Sequence, residues 1–333
     1  MASFSNFGND LYTGARSVRI VGRQRLWYSI SAILILISVV GPIMRGGFNF
    51  GIELSGGSEF TVSSLAANAD ESIATATVEA IVPSVIPKVS KLGGTSIRVQ
   101  TTQLTDVQTR DIRNALAADY NVGTDQVTAS FIGATWGQDI TSQAIRGLIV
   151  FLILAALVMT IYFRTWKMSV AAIVALLHDL IITAGIYGIS GFEVTPGAVI
   201  GLLTILGYSL YDTVVVFDKV RENTRGSGRD LSRTFGQQVN LAVNQTLVRS
   251  INTSVVAALP VASILFIGAV VLGAGTLRDI SLSLLIGIIV GTYSTIFLAT
   301  PLYAQMRSSE PEIRKADKKV LAAQVKAAES VSA

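Results

Sequence analysis

The chain has 333 residues, of which 50% are hydrophobic and only 14% charged, with a formal net charge of +4. Its mean hydropathy of +0.56 excludes an ordinary water-soluble domain and indicates an integral membrane protein. The absence of cysteine excludes disulfides and thiol chemistry, and the single histidine leaves little for a zinc site or a histidine-based enzyme.

Six apolar runs have the length that a bilayer core of about 30 Å requires, so the sequence predicts a polytopic α-helical protein with six spans. The first run follows Arg16, Arg19, Arg23 and Arg25 without a small-residue cleavage site, which favours a retained signal anchor. The six predicted spans are Leu26 to Met44, Ala144 to Phe163, Met168 to Ile189, Gly197 to Phe217, Leu247 to Leu272 and Ile280 to Tyr303.

The stretch 45–142, between the first and second spans, is long enough to fold on its own. Its pattern predicts a small α+β, ferredoxin-like domain with the order β-α-β-β-α-β. Thr105 and Gln108 have the spacing of a capping box, and Gly93 with Gly94 predicts a hairpin turn. The predicted elements are strands at Ser58 to Ser63, Lys88 to Lys91, Ser96 to Thr101 and Gln126 to Gly133, and helices at Asp70 to Val82 and from Thr105. We interpret this domain as a binding surface, without a catalytic centre, a metal site or a cofactor site.

Charge predicts the orientation, because short loops rich in Lys and Arg stay in the cytoplasm. Residues 45–142 hold six basic and ten acidic residues, whereas the stretches 1–25, 164–167, 218–249 and 305–333 are all net basic. We therefore expect a membrane protein with an extracytoplasmic α+β domain, cytoplasmic tails (1–25 and 305–333) and a cytoplasmic loop (218–246) within the helical region 143–304. The basic loops fit topology signals and contact with the lipid bilayer, with no nucleic-acid partner.

Ionisable residues inside the spans are few, and each is expensive unless it has a partner or a function. His178 and Asp179 lie in the middle of the third span. Because neighbours on a helix point about 100° apart, we expect them on different faces, with one packed and the other free to face a hydrated interior. They are secondary candidates for a proton pathway, and a structurally satisfied histidine is the alternative.

Asp212 stands near the end of the otherwise apolar fourth span, and Arg249 begins the fifth span at a similar depth. Asn252 and Thr253 follow, so this part of the span is polar, as if it lined water. An acid and a base at low dielectric hold each other ionised, and protonation of the acid would free the arginine. The pattern predicts a proton-sensitive pair, Asp212 with Arg249; a static buried ion pair that fixes helix register is the open alternative.

Several motifs together resemble the SecF family of bacterial protein-export membrane proteins. The family motif includes Gly51, Gly56 and Gly57, Gly207, and Asp218. The remaining motif residues are His178-Asp179, Tyr208 to Phe217, Arg221-Glu222-Asn223 and Asn244 to Arg249. The chain departs from the usual pattern at Glu53, Leu54 and Ser55, and at Tyr211, where the family usually has Asn.

The resemblance implies an accessory, non-enzymatic subunit that, paired with SecD, uses the proton-motive force to draw preproteins outward from the SecYEG channel. A YidC-type insertase is a further implied partner. The chain would be half of a pseudo-symmetric resistance-nodulation-division transporter, in which one half alone would leave Asp212 facing lipid. Protonation of Asp212 would release Arg249, shift the fourth and fifth spans and move the outer domain. A half-size transporter of a small molecule or lipid, and a scaffold, are the alternatives.

Overall fold

The computed structural model describes residues 2–65, 69–92, 95–225, 232–268 and 275–332. Within these residues, six helices are long and apolar enough to cross a membrane. The predicted hairpin turn at Gly93 and Gly94 and the predicted end of the fifth span at Leu272 lie outside the described residues.

Helices account for most of the chain. The last span is continuous through a π-helical turn at Thr295–Ala299 that joins α10 to α11. The helices are α1 (Ala2–Thr13), α2 (Gln24–Met44), α3 (Ile52–Ser55), α4 (Glu71–Ile81), α5 (Asp106–Asp119), α6 (Ala134–Phe163), α7 (Trp166–Ser190), α8 (Pro196–Thr224), α9 (Phe235–Phe266), α10 (Gly275–Ser294), α11 (Thr300–Ser308) and α12 (Pro311–Ser332).

The strands form two sheets. A four-stranded antiparallel sheet has the order β3-β4-β2-β5, and a short parallel pair joins β1 to β6. The strands are β1 (Asn49–Phe50), β2 (Gly57–Val62), β3 (Lys88–Leu92), β4 (Ser96–Thr101), β5 (Val127–Ile132) and β6 (Glu193–Val194). The larger sheet and helices α4 and α5 follow the order β-α-β-β-α-β, as the sequence pattern predicts.

The sheet domain is built on local signals that the sequence carries. Thr105 and Gln108 form the predicted capping box at the start of α5. Ile112 and Leu116 of α5 are fully buried against Phe60 of β2, and together they belong to one apolar core under the sheet. The Ser72 N–H donates to Asp70 at the start of α4 and holds the pKa of that carboxyl below its usual value.

The helical bundle has a buried centre made of α7, α8 and α10, whereas α2, α6 and α9 expose most of their apolar surface. Helices α8 and α10 approach closely at two GxxxG pairs, Gly197 with Gly201 and Gly287 with Gly291. A Cβ at Gly201 would overlap Ser283, and one at Gly287 would overlap Ile205. The glycine spacing therefore serves helix packing.

Two predicted boundaries differ from the structure. Helix α6 begins at Ala134, before the predicted domain boundary at 142, because the polar stretch 134–143 continues the helix without the hydropathy of a span. Helix α9 begins at Phe235 behind a capping box at Thr234, so much of the predicted loop 218–246 is helical. Hydropathy locates apolar runs, but helices extend beyond them wherever a cap allows.

We call the end of the bundle that carries the sheet domain the sheet end, and the opposite end, with α1 and α12, the tail end. Gln245 of α9 donates to the carbonyl of Tyr12 in α1. Asp317 of α12 accepts from the Phe235 N–H at the start of α9. The C-terminal tail is helical from Pro311 to Ser332.

Candidate functional site

Asp212 is buried between α8 and α9, with only 7% of its surface exposed. The Ser250 Oγ donates to Asp212 Oδ1 at 2.8 Å. The second oxygen, Oδ2, is buried and has no hydrogen-bond partner among the described residues. The expectation that this half alone leaves Asp212 facing lipid is therefore wrong, since α9 covers the carboxylate from one side.

Arg249 does not pair with Asp212 in this structure. Among the described residues, no ion pair within 4.0 Å includes Arg249, and its side chain is exposed. Arg249 and Ser250 are neighbours on one helix and point about 100° apart, so when Ser250 faces Asp212 the arginine points to the side. The structure therefore shows a contact between Ser250 and Asp212 in place of the predicted pair of Arg249 and Asp212. Arg249 is the residue before Ser250 on α9.

Arg249 instead lines a cavity of about 450 Å³ at the tail end, between α1, α6, α8 and α9. The same cavity is lined by Asp218 and Glu222, which lie one and two turns beyond Val215 on α8. Tyr162 of α6 donates to Asp218 Oδ1 at 3.4 Å. Asp218, six residues beyond Asp212, is about 9 Å further along the helix axis. The cavity places acidic and basic side chains between the buried acid and the tail end.

The two other polar candidates on α9 lie beside this region. Asn252 is exposed, on the same side of the helix as Arg249. The Thr253 hydroxyl donates to the Arg249 carbonyl at 2.8 Å, which is a local helix contact. Tyr211, where the related family usually has Asn, is 56% exposed and points away from the helix core. The face of α8 and α9 that carries Tyr211, Arg249 and Asn252 is therefore exposed near Asp212.

His178 and Asp179 form a second polar centre, and they do not separate onto a packed and an open face. Both are 2% exposed, and His178 Nδ1 lies 3.2 Å from Asp179 Oδ1. Ser209 of α8 donates to Asp179 Oδ2 at 2.6 Å, and the His178 ring stacks on Tyr293 of α10. The centre is enclosed by three helices, and its two side chains contact each other.

The motif glycines have different structural roles. Gly57 has φ +146° and a Cβ there would overlap the Thr101 carbonyl, so the start of β2 requires glycine. Gly56 has φ +76° and ends α3. A Cβ at Gly51 would overlap the Glu53 carboxylate. Gly207 on α8 has open space on its Cβ side. The first three glycines shape the connection into the sheet domain.

A charged cluster at the sheet end has no signature in the sequence. Glu193 of β6 is 7% exposed, and its carboxylate contacts Lys88 at 3.0 Å and Arg98 at 3.0 Å. Burial, then the charges of Glu59 and Glu193, raise the pKa of Glu53 beside this cluster. Glu193 lies in a two-residue strand between two spans, where neither periodicity nor hydropathy marks it.

A second buried carboxylate at this end is Asp279 of α10. The Thr195 hydroxyl donates to Asp279 Oδ2 at 2.9 Å, and Arg278 contacts its other oxygen at 3.0 Å. Within the described part of the chain, no group of three or more His, Cys, Asp or Glu residues has the arrangement of a metal site. The carboxylates of these centres can bind protons and form ion pairs.

Comparison with known proteins gives consistent matches. The family model described as protein export membrane protein SecD/SecF, C-terminal, matches residues 112–309. The protein translocase subunit SecF of Streptomyces coelicolor is 44% identical over 322 residues, which cover 97% of this chain and 85% of that protein. The corresponding subunit of Mycobacterium tuberculosis is 42% identical, covering 95% of this chain and 73% of that one.

The structural match is to a larger chain. The crystal structure of SecDF from Thermus thermophilus, described as a translocon-associated membrane protein, superposes with a TM-score of 0.74 at 26% identity. The match covers 88% of the present chain and 39% of SecDF. The helical arrangement described above is thus similar to one part of a longer membrane protein.

Proposed function

Because the chain belongs to the SecF family of protein export membrane proteins, we propose that it is an accessory subunit of the Sec translocase driven by the proton-motive force. Together with a SecD partner it would help draw preproteins outward from a SecYEG channel, with a YidC-type insertase as a further neighbour. The observation that carries the proposal is Asp212, a buried acid with one oxygen held by Ser250 and the other without a partner among the described residues.

The proposed proton site is Asp212 itself. Oδ2 can take a proton while Oδ1 keeps its contact with Ser250, so protonation neutralises the acid without requiring a new donor. Loss of the charge changes the balance between burial and hydration of the carboxyl group, which in turn favours a different packing of α8 on α9. Asp212 is thus the group that senses the gradient, and Ser250 positions it.

Arg249 has a different role in this proposal from a permanent ion-pair partner. Its positive charge lies beside Ser250 and lines the tail-end cavity together with Asp218 and Glu222. A cation there stabilises ionised Asp212 at a distance, and the cavity offers carboxylates that accept the proton on its way to the tail end. The His178–Asp179 centre, in which both Asp179 oxygens are engaged, has a structural role in this proposal.

The orientation follows from the charge distribution. The sheet domain is net acidic and the tail end is basic, which supports a cytoplasmic tail end and an extracytoplasmic, ferredoxin-like sheet domain. One proton crossing a potential of 100 mV supplies about 2.3 kcal/mol, a bias of roughly 50-fold between two conformations. This free energy is enough to shift the equilibrium between two helix packings, and such a shift can help draw the emerging preprotein outward.

A second half is part of the proposal. The exposed apolar surfaces of α2, α6 and α9, with Arg249 and Asn252 beside Asp212, fit a SecD-like half of the resistance-nodulation-division type. The longer SecDF chain, of which the match covers 39%, supports such a pairing.

The test compares export with and without a proton gradient in vesicles that contain the complete complex. We expect Asp212→Asn and Arg249→Met to remove the gradient-dependent part of export, while Arg249→Lys keeps part of it. Co-purification of SecD and SecYEG with each variant is the control for assembly. Normal gradient-dependent export by Asp212→Asn would refute the proposal, and a complex without SecYEG would favour a small-molecule or lipid transporter.

A further inference from the structure

Glu193 joins the sheet domain to the helical bundle through buried charges. Its Oε1 lies 3.0 Å from Lys88 Nζ of β3, and its Oε2 lies 3.0 Å from Arg98 Nη2 of β4. Arg98 and Glu193 are each 7% exposed. A buried charge that loses its partner is costly, so this contact resists separation of the two parts.

The position of Glu193 in the chain connects this contact to Asp212. Helix α8 begins at Pro196, three residues after Glu193, and carries Asp212 without a break in the helix. The rise from Pro196 to Asp212 is about 24 Å. A shift of α8 along its axis therefore displaces Glu193 by a similar distance, because a helix is stiff along its length.

The surrounding contacts tie the same point to β1, in the segment that leads from the first span into the sheet domain. Strand β6 pairs in parallel with β1, which follows the first span. Lys88 also donates to the side chain of Asn49 in β1, and Asn49 in turn donates to the Gly191 carbonyl after α7. The segment after the first span and the α7–α8 connection thus meet at one charged contact.

Arg98 has a second carboxylate within reach on its own sheet. Arg98 Nη1 lies 3.9 Å from Glu59 Oε2 of β2, an oxygen that also accepts from Gln100 at 3.0 Å. A cavity of about 310 Å³, lined by Glu53, Glu59, Arg98 and the start of α8, lies beside the contact. Arg98 therefore has both the space and the alternative carboxylate partner that a switch between two arrangements requires.

We infer that Glu193, held by Arg98 and Lys88, is the coupling joint that transmits movement of α8 at Asp212 to the sheet domain. This inference rests on the proposed proton-driven function and adds the residue through which the force leaves the bundle. Glu193 acts as a positioning residue: it binds neither proton nor preprotein in this role, and it keeps the sheet domain attached to α8.

The test separates proton movement from export in vesicles that carry the complete complex. We expect Glu193→Gln to keep proton flux within about twofold of the parent and to lower gradient-dependent export at least tenfold. Glu193→Asp keeps the charge but is one methylene shorter and cannot reach Lys88 and Arg98 together, so an intermediate export rate is expected. The reversed pair, Glu193→Arg with Arg98→Glu, should recover part of the export lost in Glu193→Gln.

The matched control is Glu79→Gln, which removes an exposed carboxylate of α4 outside the joint; export should change less than twofold. Unchanged export in Glu193→Gln, or a parallel fall of flux and export in Glu193→Asp, would overturn the inference. Failure of the proposed function looks different, since gradient-dependent export would then persist in Asp212→Asn.

Discussion

Two buried carboxylates lie within one turn of each other at helix α8, one contacting Ser209 and the other being Asp212, and they are held in different ways. Asp179 of α7 has both oxygens engaged, one by Ser209 and one by His178, inside a centre closed by α7, α8 and α10. Asp212 of α8 has one oxygen bound to Ser250, and its other oxygen has no partner among the described residues. Both are buried, so burial alone does not distinguish them.

The difference indicates which acid is fixed and which can change its charge. A carboxylate with every contact satisfied is stabilised in one state, and each contact must be broken before it moves. A carboxylate with one oxygen that has no partner among the described residues, close to a cavity and an exposed arginine, can also exist in a protonated state. We therefore assign the structural role to Asp179 and the proton-binding role to Asp212 in the proposed mechanism.

The largest effect on stability should come from Asp179. In Asp179→Ala, Ser209 and His178 both lose their acceptor in a buried centre, and we expect a loss of about 3 kcal/mol in unfolding free energy. Asp212→Ala leaves only Ser250 without its acceptor and should cost about 1 kcal/mol. Equilibrium unfolding in detergent measures both, and an equal loss would remove the distinction between the two acids.

The two serines offer a matched pair of variants. Ser209→Ala and Ser250→Ala each remove one hydrogen bond to a carboxylate, worth about 1.5–3 kcal/mol. We expect similar losses of stability, but only Ser250→Ala should change the dependence of export on the proton gradient. An altered dependence in Ser209→Ala would instead place Asp179 on the proton pathway.

Two glycines test how tightly each side of α8 is packed. A Cβ at Gly291 would lie 3.0 Å from Ser209 Oγ and 3.5 Å from Asp179 Oδ2, so Gly291→Ala should crowd the fixed centre and cost about 1–2 kcal/mol. Gly207→Ala has open space within 4 Å of its Cβ and gains helix propensity of up to about 1 kcal/mol. Thermal unfolding of the two variants should therefore shift in opposite directions.

The smallest effect concerns Glu53, a partly buried acid outside the membrane spans. Burial raises its pKa, with the charges of Glu59 and Glu193 acting in the same direction and Arg98 against them. Lys88 and Asp279 complete the charged surroundings. A carboxyl group whose folded-state pKa is raised stabilises the fold below its unfolded pKa, and this stability is lost as the pH rises through the folded pKa.

Glu53→Gln should remove that pH dependence and leave the attachment of the sheet domain slightly more stable at neutral pH. Asp70 is the control of opposite sign, because its lowered pKa gives stability that is lost as the pH falls. Hydrogen exchange of the sheet domain as a function of pH measures both. A pH profile of Glu53→Gln identical to that of the parent would show that Glu53 does not titrate in this range.

The sequence predicted the elements that depend on local patterns. The spans follow from hydropathy, and the β-α-β-β-α-β order of elements along the chain and the capping box at Thr105 follow from periodicity and spacing. Asp212 was identifiable because an acid in an apolar run is rare. The direction in which the Arg249 side chain points was not identifiable. A difference of one residue rotates a side chain by about 100°, and no sequence pattern fixes the rotation of α9 about its axis.

Long-range contacts between charged residues were also beyond the sequence. Glu193 meets Lys88 and Arg98 across about a hundred residues of chain, in a two-residue strand that has no periodicity of its own. His178 and Asp179 were expected on different faces, yet Ser209 and Tyr293 enclose them together. Pairings of this kind depend on how the helices and the sheet domain pack, which a single sequence does not determine.

The gradient dependence of preprotein export in vesicles with Asp212→Asn, compared with Asp179→Asn, tests the central claim most directly. The account predicts that collapsing the proton gradient slows export by the parent and by assembled Asp179→Asn, and leaves Asp212→Asn at the same low rate as before. Export by Asp212→Asn that still falls when the gradient is collapsed would contradict the assignment of Asp212 as the proton-binding group.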